Sequence, residues 1–226
     1  MCLWRSLFRN HGVSSGDLRI GVLGSGAGSN CQAILDACSP RSERGERGEI
    51  PGQVVVVISD VAEALILERA RQRQIPAKFV GPSRFKTKLE PKLEQQIVAE
   101  LQAAKVGVVA LAGYMRVVKA PLLEAFAGRI MNVHPSLLPA FPGLRAWEQA
   151  LAHGVRLTGC TVHFVDDGVD AGPIILQQPV PVFDGDTPER LQGRIQLAEH
   201  RLYPEAIRLF ATGKLQVNGR HVKILP

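Results

Sequence analysis

The sequence lacks the features that organise secreted, metal-built or membrane-spanning chains. It holds only four cysteines in 226 residues, Cys2, Cys31, Cys38 and Cys160. None forms a C-x-x-C pair or a cysteine-histidine spacing, which excludes a disulfide framework and a zinc centre and predicts buried, reduced thiols. No apolar run reaches the roughly eighteen residues a membrane helix requires. Arg5 and Arg9 interrupt the N-terminal stretch before a secretory core develops. There is no internal repeat, no low-complexity tract, no dense basic run and no ladder of aromatic residues, which make up 5 % of the chain. The net charge of +6 is therefore poorly distributed for nucleic acid, because the basic residues of Arg41 to Glu49 and of Lys86 to Glu94 sit beside acids. Anionic small molecules suit the same charge.

What is present is an ordinary globular balance, 46 % hydrophobic and 21 % charged, at a length that gives one domain an ample core. A disordered tail over 1–17, a single domain over 18–215 and a C-terminal extension over 216–226 are expected, in a cytoplasmic protein.

Arg19 to Leu23 reads as a buried strand running into Gly24-Ser25-Gly26-Ala27-Gly28-Ser29-Asn30 and then a helix. Backbone N–H groups of such a loop, with a helix dipole behind them, make an anion seat; close packing alone is the competing explanation. Ser39 to Gln53 reads as a surface loop. Val54 to Ser59 is an apolar β-branched run, the mark of a strand covered on both faces. Helical spacing over Ala62 to Gln74 and Lys88 to Ala104, with short strands at Ala77 to Val80 and Val106 to Ala112, implies right-handed crossovers. The predicted class is α/β, Rossmann-like, with a mostly parallel sheet flanked by helices. Strands at Thr158 to Phe164 and Ile174 to Val180 are close enough to pair antiparallel at one sheet edge. Arg145 to His153 reads as a helix. Thr187 and Pro188 start another that runs to about Phe210 and holds Pro204 as a kink.

The chemistry is expected at Asn132-Val133-His134-Pro135-Ser136-Leu137-Leu138-Pro139. At the end of a strand, residues two apart point to the same side, so a carboxamide and an imidazole face one space. Two prolines then force a stiff loop. A simple loop tie is the alternative for both side chains. A carboxylate near His134 would orient it for acid–base work, and Asp166, Asp167 and Asp170 are all candidates, although acidic loops are more often solvated. Met115, Val117 and Val118, after the Val106 to Ala112 strand, fit either the core or the wall of a pocket for a flat ring.

Taken in order, Ser25 to Asn30, Ala112 to Arg116, Asn132 to Pro139 and Asp170 to Gln177 make the chain resemble the phosphoribosylglycinamide formyltransferases over roughly Leu18 to Leu215. The resemblance implies transfer of the formyl group of 10-formyltetrahydrofolate to the amine of glycinamide ribonucleotide in purine biosynthesis, without a metal. It implies His134, Asn132 and Asp170 as catalytic residues. Gly28, Ser29 and Asn30 would hold the ribonucleotide phosphate, with Glu199 contacting that substrate near its amide end. Met115, Arg116, Val117, Val118 and Asn132 would line the folate site. Lys88 stands where the family often has arginine, keeping the charge without the planar fork. Small-molecule substrates are the expected partners, with no nucleic acid or membrane, in a monomer or homodimer. Methionyl-tRNA formyltransferase and formyltetrahydrofolate deformylase, the nearest rivals, usually carry a further domain. A non-catalytic nucleotide- or RNA-binding protein would not call for this triad of polar groups.

Overall fold

The computed structural model describes residues 17–38, 48–85 and 87–226. Positions 1–16 of the expected tail, Cys2 among them, positions 39–47 of the expected surface loop, and residue 86 lie outside the described residues. The chain order is β1 (Leu18–Leu23), α1 (Ser29–Cys38), β2 (Gly52–Ser59), α2 (Leu65–Gln72), β3 (Ala77–Phe79), α3 (Pro91–Ala103), β4 (Val108–Leu111), α4 (Ala120–Ala125), β5 (Ile130–His134), α5 (Ala146–Ala152), β6 (Leu157–Phe164), β7 (Ile174–Pro181), α6 (Pro188–Ala211), β8 (Leu215–Asn218) and β9 (His221–Ile224).

These strands form one sheet in the order β3-β2-β1-β4-β5-β6-β7-β9-β8. The first five are parallel, as the continuous apolar runs of β1, β2 and β4 predict. Alternate side chains divide the core between the two faces. Ile20, Val22, Val57, Val108, Ala110, Met131 and Val133 pack with α1, α2 and α6. Leu23, Val56, Ile58, Val109, Leu111 and Ile130 pack with α3 and α4. Chain order reverses about β1, so the crevice beyond the carboxyl ends of β1 and β4 is where such a sheet binds ligands.

Several expected boundaries move for local reasons. The helix expected over Lys88 to Ala104 starts only at Pro91, whose ring disfavours helical backbone in the residue before it. The helix expected from Arg145 starts at Ala146 because Arg145 is left-handed, with φ 54°. Thr187 caps α6 as expected, its hydroxyl accepting from Arg190 N at 3.3 Å, and the helix continues through Pro204 to Ala211. The β6–β7 pair is antiparallel but does not form the sheet edge. The residues expected as an extension, with Leu215, fold into the β8–β9 hairpin, and β9 docks beside β7 through Ile174 and His221. Gly219, with φ 60°, turns that hairpin.

α6 also braces the sheet at the functional end. Tyr203 is fully buried, and its hydroxyl donates to the Met131 carbonyl at 2.8 Å and lies 3.2 Å from that of Leu111. The last residue of β4 and the second residue of β5 are thus fastened to one side chain.

Candidate active site

β5 delivers the two side chains that the sequence singled out. Met131 and Val133 are committed to the α1–α6 face, so Asn132 and His134 point to the other. His134 is 4 % exposed. Its Nδ1 lies 3.3 Å from Asp170 Oδ2 and its Nε2 lies 2.9 Å from the Phe141 carbonyl. Carboxylate and carbonyl are both acceptors, so a ring protonated on both nitrogens satisfies the two contacts and a neutral ring satisfies one.

The loop behind His134 is held by more than its prolines. Thr161, the cross-strand neighbour of His134, donates to the Ser136 carbonyl at 2.6 Å and accepts from Leu138 N at 3.0 Å. Gln177 donates to the Leu138 carbonyl at 2.9 Å. These bonds fix the turn that brings the Phe141 carbonyl to the imidazole.

Asp170 comes from the β6–β7 loop. Gly172 presses that loop onto β6 so closely that a Cβ there would lie 1.8 Å from the Phe164 carbonyl oxygen. Asp170 adopts φ 50°, and its Oδ2 also accepts from Gly143 N at 2.8 Å. Of the three aspartates the residues alone left open, Asp170 faces the imidazole, whereas Asp166 accepts from Gly168 N at 3.0 Å within its own loop.

Sequence reasoning missed His163. It pairs across the sheet with Asn132, and the Asn132 amide nitrogen lies 3.2 Å from its Nε2. His163 Nδ1 donates to the Phe164 carbonyl at 2.8 Å, which leaves Nε2 as the acceptor and turns the Asn132 NH₂ towards it. Only the strand register reveals this pairing. The alternation of β6 was the available signal, and it does not say which residue lies opposite Asn132.

Burial holds the His163 imidazole below its ordinary range. The Phe164 carbonyl, Asp170 and Asp166 pull the other way, while His134 reinforces burial. Unfolded, this group titrates near pH 6.5. Between that value and the lower folded one, the unfolded chain binds more protons. The stability due to neutral His163 is therefore complete above about pH 6.5 and lost as pH falls through that interval. The urea midpoint is expected to drop between about pH 7 and pH 5.5, and to drop less in His163→Gln. Equal drops in the two proteins would contradict the assignment.

The glycine-rich loop leads from β1 into α1 as expected. Gly28 has φ 73°, and a Cβ there would lie 2.9 Å from the Ile66 Cα, so both conformation and space require glycine. The first-turn N–H groups of α1, beginning at Ser29, have no partners within the helix. Arg69 donates to the Ala27 carbonyl at 2.8 Å and to Gln32 at 3.1 Å, which sets a positive charge beside the loop. A groove of about 730 Å³ runs from Ser29 past Arg69 to His200. Asn30 donates to Glu199 Oε2 at 2.7 Å, and burial raises the Glu199 carboxyl above its ordinary range. Among the described residues the buried Asn30 side-chain oxygen has no hydrogen-bond partner, which leaves an acceptor for a ligand.

The loop after β4 stands beside this seat. Met115 is 56 % exposed, Val117 is half-buried and Val118 is buried. The Arg116 Nε pairs with Asp60 Oδ2 at 2.5 Å. Lys88 is exposed and holds its ammonium 4.6 Å from the centroid of the Phe85 ring.

Cys31 and Cys160 are buried and Cys38 is half-buried, all as free thiols that burial pushes up to about 12. Such thiols are poor nucleophiles. Among the described residues no group of three or more histidines, cysteines or acids is placed to hold a metal ion, and no helix is long and apolar enough to cross a membrane.

The formyl transferase family model matches residues 18–207. The phosphoribosylglycinamide formyltransferase of Escherichia coli (strain K12) is 42 % identical over 201 residues, which cover 89 % of this chain and 91 % of that protein. The trifunctional purine biosynthetic protein adenosine-3 of Homo sapiens is 42 % identical over 205 residues, 89 % of this chain but 19 % of that protein, so the chain spans about a fifth of that relative's length. The crystal structure of glycinamide ribonucleotide transformylase 1 from Symbiobacterium toebii superposes with a TM-score of 0.86 at 54 % identity, covering 94 % of this chain and 96 % of that one. By the span of the family match, and by its identity to relatives that it covers almost end to end, this chain belongs to the formyl transferase family.

Proposed function

We propose that the chain transfers the formyl group of 10-formyltetrahydrofolate to the amine of glycinamide ribonucleotide, a step of purine biosynthesis. The observation that carries the reading is the His134–Asp170 pair at 3.3 Å, beside Asn132 at the end of β5, next in the sheet to the loop after β4, with the glycine-rich loop one strand further on. The Gly28, Ser29 and Asn30 segment receives the ribonucleotide phosphate on its N–H groups, and Asn30 with Glu199 faces the rest of that substrate. The loop of Met115, Arg116, Val117 and Val118 offers an apolar wall to the folate ring, with Asn132 at its inner end and Lys88 near its outer end.

Attack of the amine on the formyl carbon places negative charge on the formyl oxygen. Asn132 is oriented by His163 so that its remaining N–H can donate to that oxygen, and such a donor is worth about 10²–10³ in rate. His134 keeps its firm 2.9 Å bond from Nε2 to the Phe141 carbonyl. The longer contact at Nδ1 is the one that opens to the reacting atoms, so Nδ1 carries the proton that moves between attacking and departing nitrogens. Asp170 orients the ring before transfer and offsets its positive charge during it. The partners are small molecules, in a monomer or homodimer.

A spectrophotometric assay with purified chain, formyl folate and ribonucleotide tests this, each being omitted in turn. Folate product is expected only in the complete mixture. Formate released without the ribonucleotide would instead mark a deformylase.

A further inference from the structure

Asp60 follows β2, and none of the roles above uses it, although its side chain is only 1 % exposed. One of its oxygens accepts from Ser25 Oγ at 2.5 Å and the other pairs with Arg116 Nε at 2.5 Å. Ser25 belongs to the glycine-rich loop. Its hydroxyl accepts from Met115 N at 2.9 Å, and its own N–H donates to the Gly113 carbonyl at 3.0 Å. Arg116 reaches on to the Phe85 carbonyl, and Val117 N donates to the Thr87 carbonyl at 2.8 Å. The loops at the ends of β1 and β4 therefore converge on one buried carboxylate, and the loop after β3 joins them through Arg116 and Val117.

A guanidinium bound in this way has donated its charge to the frame. Its side chain is 14 % exposed, and removing either partner would strand the other as a buried charge. We propose that Asp60 is a positioning residue for the folate site: it keeps the Arg116 guanidinium inside the loop frame, so that the ligand meets shaped backbone and the Met115 side chain rather than the Arg116 charge. The inference rests on the folate reading above. It leaves Lys88, exposed on the Phe85 ring, as the cation that a folate tail would meet.

Calorimetric binding of two probes to the full chain tests it: tetrahydrofolate, and tetrahydropteroate, which lacks the glutamate carboxylates. Asp60→Asn is expected to weaken both by the same factor, roughly tenfold or more. KM for the formyl donor should rise in step while kcat stays within about threefold. Lys88→Ala is expected to weaken tetrahydrofolate alone. Should Asp60→Asn fail to fold in a thermal melt, Ser25→Ala decides, since it keeps the ion pair and removes the hydroxyl that ties Asp60 and Met115 N to the glycine-rich loop. An equal, smaller loss for both probes in Ser25→Ala then supports the inference. Wild-type affinity for both probes in the deciding variant, or a loss confined to tetrahydrofolate, overturns it while leaving the folate reading intact. A wild-type chain that binds neither probe overturns the folate reading and this inference with it.

Discussion

His134→Ala is expected to slow formyl transfer by about 10²–10⁴-fold, the range for removal of a positioned acid–base group, while affinity for the ribonucleotide phosphate is kept. The separation follows from geometry. The proposed phosphate seat is built from backbone at the start of α1, whereas His134 ends β5 and, among the described residues, its ring meets only Asp170 and the Phe141 carbonyl as hydrogen-bonding partners. The substitution leaves Asp170 one contact poorer, but that carboxylate still accepts from Gly143 N at 2.8 Å, so its loop stays in place. Rate and phosphate affinity measured on the same preparation check the prediction. Undiminished turnover would remove His134 from the chemistry.

Asp170→Asn is expected to cost about 10²–10³-fold in turnover with little change in thermal midpoint. An asparagine fits the same contacts: its oxygen can take the place of Oδ2 against Gly143 N and His134, and its NH₂ then faces His163 Nε2, which lies 3.8 Å from Oδ1 in the present chain. What the variant loses is charge. A unit charge about 4 Å away at an effective dielectric near 20 is worth about 4 kcal/mol, which is about three decades of rate if the whole effect falls on the transition state. The partial exposure of Asp170 trims that figure. Single-turnover rates and a melting curve together distinguish lost charge from a displaced loop, because only the second lowers the melting midpoint along with the rate.

The parts of the site written within single segments were legible in the sequence. Asn132 and His134 are two apart on a strand, and strand alternation alone sends them to one side. Gly24 to Asn30 announces its turn through glycine. The strands of the parallel half follow from their apolar runs. The pairings that remained hidden depend on contacts between distant segments. His163 and Asn132 meet through antiparallel register, Asp60 and Arg116 meet across two loops, and Asn30 and Glu199 are brought together by the packing of α1 on α6. Asp170 could be separated from Asp166 by resemblance but not by spacing, since both sit in one acidic loop and only its fold decides which reaches the imidazole. The C-terminal hairpin did carry a local signal, Asn218-Gly219-Arg220 between two alternating runs, but its docking beside β7 rests on the register pair of Ile174 and His221.

In the proposed mechanism His134 and Asp170 act as one unit at the formyl carbon. Single-turnover transfer by the His134→Ala, Asp170→Asn double variant tests that most directly. The expected rate is no lower than that of the worse single variant, because a carboxylate whose work is to orient and charge-balance an imidazole has nothing left to do once the ring is gone. A double variant whose loss is the product of the two single losses would mean that the two side chains work independently, and would contradict a shared role at the formyl carbon.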